Sequence, residues 1–178
     1  MRLRSTVLAL ALAGWSAGAE PAWAIAGCDA FSAALRTAAS DMGVDFSRAI
    51  VVSRTRSDAS VFDVTTRADV DGTLSCRGDE FIRFEARIGE PANARTSTNF
   101  ERFQAAALKA ALGWDAAKSH GVLKGMSADA REYLAASRQR GDVYIAGKTE
   151  EHMPGSVSLG LMATESDQTF VIVGPAGE

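Results

Sequence analysis

The chain has 178 residues, 47% of them hydrophobic and 23% charged, a length and balance that suggest one domain. Its 22 acidic and 19 basic side chains leave a net charge of −3, mixed in sign, which argues against a general binder of nucleic acid or anionic membranes.

The first 24 residues have the layout of a secretory signal peptide. Arg2 and Arg4 supply a positive start, and Val7–Ala13 an apolar core of seven residues. Small residues then offer A-x-A cleavage sites at Ala17-Gly18-Ala19 and Ala22-Trp23-Ala24. The apolar run is far shorter than the ~20 residues of a membrane-spanning helix. The expectation is a cleaved export signal over residues 1–24 and a single domain over residues 25–178, periplasmic or secreted. Cleavage after Ala24 removes two arginines and one glutamate, so the net charge becomes −4. A second reading starts from Ile25-Ala26-Gly27-Cys28, which resembles a bacterial lipobox and would place a lipid anchor on Cys28. Glu20 and Pro21 interrupt the apolar stretch well before that cysteine, which favours cleavage after Ala24. No later apolar run approaches membrane length, so no transmembrane segment is expected.

Cys28–Met42 is alanine-rich and helical in pattern. Cys28, Phe31, Leu35, Ala38 and Met42 share one face, and Gly43 is a natural stop. Arg48–Thr55 is strand-like, and Ser57–Ser60 form a polar turn. In Val61–Val70, Phe62, Val64, Ala68 and Val70 alternate with Asp63, Thr65, Arg67 and Asp69. Asp71-Gly72 carries a two-residue hairpin signal. Leu74 and Cys76 then share an inward face, Gly78-Asp79 makes another turn, and Ile82, Phe84, Ala86 and Ile88 point inward on the next strand. Glu90–Ser97 reads as a loop. Thr98-x-x-Glu101 suggests a capping box opening a helix from about Asn99 to Leu112. Asp115–Gly125 is ambiguous, and Ser127 would cap a second helix, Ala128–Arg140, with Ala130, Tyr133, Leu134 and Ser137 inward. Strands follow at Asp142–Lys148, Ser156–Ala163 and Thr169–Val173, before a frayed tail. The order helix, four strands, two helices, three strands indicates an α+β domain, with helices on one face of an antiparallel sheet made of a four-stranded meander and C-terminal strands.

An exported chain with two cysteines invites a disulfide. Cys28 lies on the apolar face of the first helix and Cys76 on the apolar face of the third strand. Packing that helix on that sheet would bring the two within bridging reach.

Motifs that could carry chemistry are few. Gly141–Thr149 looks like a phosphate-binding loop, but five residues separate its glycines where four are needed, and VYIA between them is strand-like. Ser156-x-Ser158-x-Gly160 resembles a nucleophile elbow without its first glycine, and alternation with Val157, Leu159 and Leu161 explains the serines as the outer side of a strand. His120 and His152 fall in expected loops, neither with a Cys or His at metal-ligand spacing. Asp69-x-Asp71-Gly72 lacks the further oxygen ligands of a calcium loop. Arg77-Gly78-Asp79 matches an adhesion tripeptide but is also what a turn requires. Arg83, Glu85 and Arg87, with Asp63 and Arg67, make a mixed-charge outer face suited to cross-strand ion pairs. No catalytic residue, metal site or cofactor is assigned. The leading expectation is a non-enzymatic exported binding or assembly module, holding a protein or peptide by a sheet face or edge. The competing one is a cell-envelope hydrolase whose groups meet only in the fold.

Overall fold

The computed structural model describes residues 27–44, 51–54, 61–65, 70–88, 93–142, 146–152, 155–162 and 167–175. The signal segment, the Ser57–Ser60 turn, Arg67, Ala68 and Asp69 lie outside the described residues. The elements run α1 (Cys28–Asp41), β1 (Val51–Arg54), β2 (Val61–Thr65), β3 (Asp71–Arg77), β4 (Glu80–Ile88), α2 (Ala94–Leu112), α3 (Ala116–Arg140), β5 (Ala146–His152), β6 (Gly155–Met162) and β7 (Asp167–Val173). The protein is an α+β domain.

The strands form one antiparallel sheet in the order β1-β2-β3-β4-β7-β6-β5. The first four make a meander because each connection is short enough only for a neighbour to pair. The two long helices then carry the chain across the sheet, so that β5 starts at the far edge. Two further hairpins bring β7 back beside β4, with Phe84 opposite Ile172 and Ala86 opposite Phe170. Alternation places Leu74, Phe84, Ala86, Ile88, Phe170, Ile172, Val157 and Leu159 in the core. Helix α1 packs over β3 and β4, α2 over β4 and β7, and α3 over β5 and β6. The central helix α2 has neighbours on three sides, which explains why Ala105–Leu108 and Ala110–Leu112 are all buried. Its alanines let the flanking helices approach closely.

Aromatic rings tie these layers together. Phe31 of α1 lies 4.8 Å from Phe81 and 5.2 Å from Phe84 between ring centroids. Phe84 meets Phe103 of α2 edge-on at 5.8 Å, a favoured arrangement of ring quadrupoles.

The disulfide joins Cys28 to Cys76, with their Cα atoms 6.2 Å apart. It pins the first residue of α1 to β3. A sulfur bonded to another sulfur has none of its valence left for a lipid thioether, so the lipobox reading of Cys28 gives way to the disulfide.

Several local expectations change. Asp71 and Gly72 are not a hairpin turn but the first residues of β3, with Gly72 opposite Val64 on one side and Ala86 on the other. A Cβ at Gly72 would stand 3.0 Å from the Glu85 carbonyl oxygen and 3.4 Å from both the Phe84 ring and Val64. The glycine thus serves close packing within the sheet rather than turning. Gly78-Asp79 is the turn expected, and Gly78 adopts φ +65°. On β4 a bulge shifts the register, with Ser75 opposite Arg83 but Cys76 opposite Phe81. The extra residue reverses the alternation, so Phe81 is buried in place of the expected Ile82, which is half-buried. Gly174, expected in the frayed tail, donates its N–H to the Ile82 carbonyl at 2.8 Å.

Both long helices start earlier than the spacing suggests. Asn93, not Thr98, caps α2, its side chain accepting from the Thr96 N–H at 3.0 Å. Asp115 caps α3 by accepting from the Lys118 N–H at 2.8 Å, so the ambiguous stretch is helical and Ser127 lies inside it. Tyr133, expected inward, is 50% exposed, while Ala130, Leu134 and Ser137 are buried as expected.

Candidate functional site

A helical hairpin builds a cavity among the described residues. Gly113, at φ +68°, ends α2 and turns the chain, and the Asp115 cap starts α3. The start of α3 therefore runs back along the second half of α2. On α3, His120, Lys124, Ser127 and Arg131 recur at three- and four-residue spacing and so share one side of the helix. On α2, Glu101 and Gln104 are three apart and face them. These side chains, with Leu123, enclose about 280 Å3.

The floor and the rim differ in kind. Leu123 and Gln104 are buried, at 5% and 2% exposure, while Glu101, His120, Lys124 and Arg131 are exposed. Gln104 stands out because its Nε2 is buried without a hydrogen-bond partner. A buried amide donor left unmade costs about 1–3 kcal/mol, so its retention calls for an explanation. Ser119, one turn before Leu123, likewise buries its hydroxyl without a partner. The rim carries one carboxylate, Glu101, and two basic side chains, Lys124 and Arg131. Such a cavity can hold a small polar molecule by opposite charges at its two walls and a hydrogen bond at its floor.

A wider depression lies where α1 ends and α2 begins, between Val44, Thr98 and Arg102, whose guanidinium donates to the Gly43 carbonyl at 2.9 Å. One of its lining residues, Val44, adjoins a stretch outside the described residues.

No family model, curated protein or solved structure matches the chain.

The residues singled out from the sequence are dispersed. His120 sits on α3 at the cavity rim, whereas His152 ends β5 opposite Gly155. Gly141 is the C-terminal cap of α3, at φ +78°, and Ala146–Thr149 belong to β5, so the glycine-rich stretch is a helix end followed by a strand. Ser156 and Ser158 are half-buried on β6, alternating with buried Val157 and Leu159 as their spacing implied. Among the described residues no three His, Cys, Asp or Glu side chains gather to hold a metal ion.

Asp79 of the Arg77-Gly78-Asp79 tripeptide acts on α1. Gly27 at the N-cap has no side chain to offer. Asp79 replaces it from the facing hairpin: its carbonyl accepts from the Cys28 N–H at 2.6 Å, and its Oδ1 accepts from the Asp29 N–H at 3.2 Å. The disulfide and this borrowed cap hold the same helix end to the same hairpin. On the outer face of the sheet, Arg83 pairs with Glu85 at 2.6 Å and Arg87 with Asp167 of β7 at 3.3 Å. Both pairs are exposed, and such pairs contribute little stability.

Gln104 was the residue overlooked in the sequence. Its signal was available: a single polar side chain between Phe103 and the apolar run Ala105–Leu108, on a helix face that otherwise packs inward.

Proposed function

We propose that the chain is an exported, disulfide-stapled binding or assembly module that holds an extended segment of a partner protein along the β5 edge of its sheet. The observation that carries this reading is the end of the sheet. Among the described residues, β5 pairs on one side only, with β6 over seven residues from Ala146↔Leu161 to His152↔Gly155. An edge of that length offers backbone donors and acceptors to an added strand. Among the described residues β1 also pairs on one side, over Val51–Arg54. Lys148, Glu150 and Glu151 put charge on β5, which discourages indiscriminate pairing between edges. Their balance favours a partner segment carrying basic residues. Export is supported by the signal-like N-terminus and by the disulfide, which persists in oxidising compartments. No helix among the described residues is long and apolar enough to cross a membrane.

A photo-crosslinking amino acid at Thr149, compared with one at exposed Arg36 on α1, tests the edge. Adjacent residues of an edge strand point their N–H groups to opposite sides, so of Thr149→Pro and Glu150→Pro one spares the ladder to β6. The expected result is adducts from β5 and not from α1, lost in the proline variant that keeps its thermal midpoint. Equal adducts at both sites, or adducts that survive both prolines, would refute the reading.

A further inference from the structure

We infer that the cavity between α2 and α3 binds a small zwitterion, an amino acid or a dipeptide, with its carboxylate toward Lys124 and Arg131 and its ammonium toward Glu101. The site is separate from the β5 edge and does not depend on it. Three observations carry the inference. The first is size: about 280 Å3 lies below the ~300–1,000 Å3 of sites for drug-sized ligands, so the occupant is a small molecule of amino-acid to dipeptide size rather than a nucleotide or a folded segment.

The second is charge. Lys124 and Arg131 stand on α3 and Glu101 on α2, so the two walls have opposite sign. A plain carboxylate would be attracted to the basic side chains of the α3 wall but repelled by Glu101, and a plain amine would meet the reverse. A molecule bearing both groups a few bonds apart satisfies both walls, by charge-assisted hydrogen bonds that are stronger than neutral ones. Leu123 offers its apolar surface to whatever side chain the ligand carries.

The third is Gln104. Its side chain lines the cavity, is 2% exposed, and buries an amide nitrogen with no partner. The terminal amide torsion has no sharp intrinsic preference, so no torsional barrier opposes presenting the donor to a ligand oxygen. A bound carboxylate or peptide carbonyl supplies the acceptor the fold omits. Discrimination follows from the same feature, because a ligand without that oxygen leaves the donor unmet.

The test uses the purified, disulfide-intact protein and a panel of the standard L-amino acids and simple dipeptides, screened by saturation-transfer NMR and followed by calorimetry. At least one member binds, while its C-terminal amide and its N-acetyl derivative each bind at least about tenfold more weakly. Lys124→Met weakens the zwitterion by a similar factor. Glu101→Gln narrows the gap between zwitterion and N-acetyl derivative, because the variant no longer repels an anion or rewards an ammonium. Gln104→Met weakens binding while its thermal midpoint stays level or rises, a combination that loss of packing would not produce. The inference is overturned if no panel member binds more tightly than about 10 mM. It is equally overturned if the N-acetyl derivative binds as well as its parent, or if Lys124→Met and Glu101→Gln leave affinity unchanged.

Discussion

Replacing both Cys28 and Cys76 by alanine removes a cross-link between residues 48 apart in the chain. Loop-closure entropy for that separation is about 14 cal/mol/K, or about 4 kcal/mol at 25 °C, lost from the denatured ensemble when the bridge is present. The native side of the change is smaller. Both cysteines are nearly buried, at 5% and 3%, so truncation leaves two small gaps, while Phe31, Leu35, Ala38 and Ala39 still hold α1 against the sheet and α2. The expected loss is therefore about 4 kcal/mol, a large share of the 5–15 kcal/mol typical of a domain. For a chain of this size it corresponds to a fall of about 8–16 °C in Tm. Urea unfolding followed by circular dichroism, oxidised wild type against the double alanine variant, measures it. Reduced wild type should lie close to the variant. A loss below about 1 kcal/mol would mean that packing alone fixes α1, and the reasoning from chain entropy would be wrong.

Other substitutions separate the interactions at single positions. Asp79→Ala should cost about 1 kcal/mol by urea unfolding, since it removes the side-chain half of the borrowed cap, the Oδ1 that accepts from the Asp29 N–H, and Asp79→Asn clearly less, because Asn caps equally well. Gly72→Asn should destabilise by about 1 kcal/mol or more, because an added Cβ would stand 3.0 Å from the Glu85 carbonyl oxygen in the middle of a paired strand and force that neighbour to shift, while Gly78→Asn should be mild, because Asn tolerates a left-handed turn. Equal effects at the two glycines would contradict the register. Gly121→Ala and Gly125→Ala should each stabilise by about 0.4–1 kcal/mol in thermal melts, as both lie within α3 with nothing within 4 Å of an added Cβ.

Much of the fold was legible in the residues because burial and spacing agreed there. Phe31, Leu35 and Ala38 on one helical face, and Leu74, Phe84, Ala86 and Ile88 on one sheet face, are buried as their periods imply. The disulfide followed from two such faces meeting. The errors have physical causes. Asp71-Gly72 has the composition of a turn, and only the neighbouring strands on both sides reveal that Gly72 is there for lack of a side chain. A bulge adds one residue to β4 and inverts a parity that no local pattern records. Gly121 and Gly125 weaken the helical signal of α3, yet packing on α2, β5 and β6 overrides their propensity. The α2–α3 cavity was the hardest feature to see, since Glu101 and Gln104 meet Lys124 and Arg131 only once the two helices fold back on each other. The return of β7 to β4, which creates the β5 edge, is likewise a property of topology.

The proposed export and the Cys28–Cys76 staple can both be read from one intact-mass measurement. The 178-residue chain is expressed in a Gram-negative host, recovered from the periplasm and treated with an alkylating agent without reductant. The account predicts a protein that begins at Ile25, weighs two hydrogens less than its reduced form and takes up no alkyl group. A protein that retains residues 1–24, or that alkylates at both Cys28 and Cys76, would contradict it.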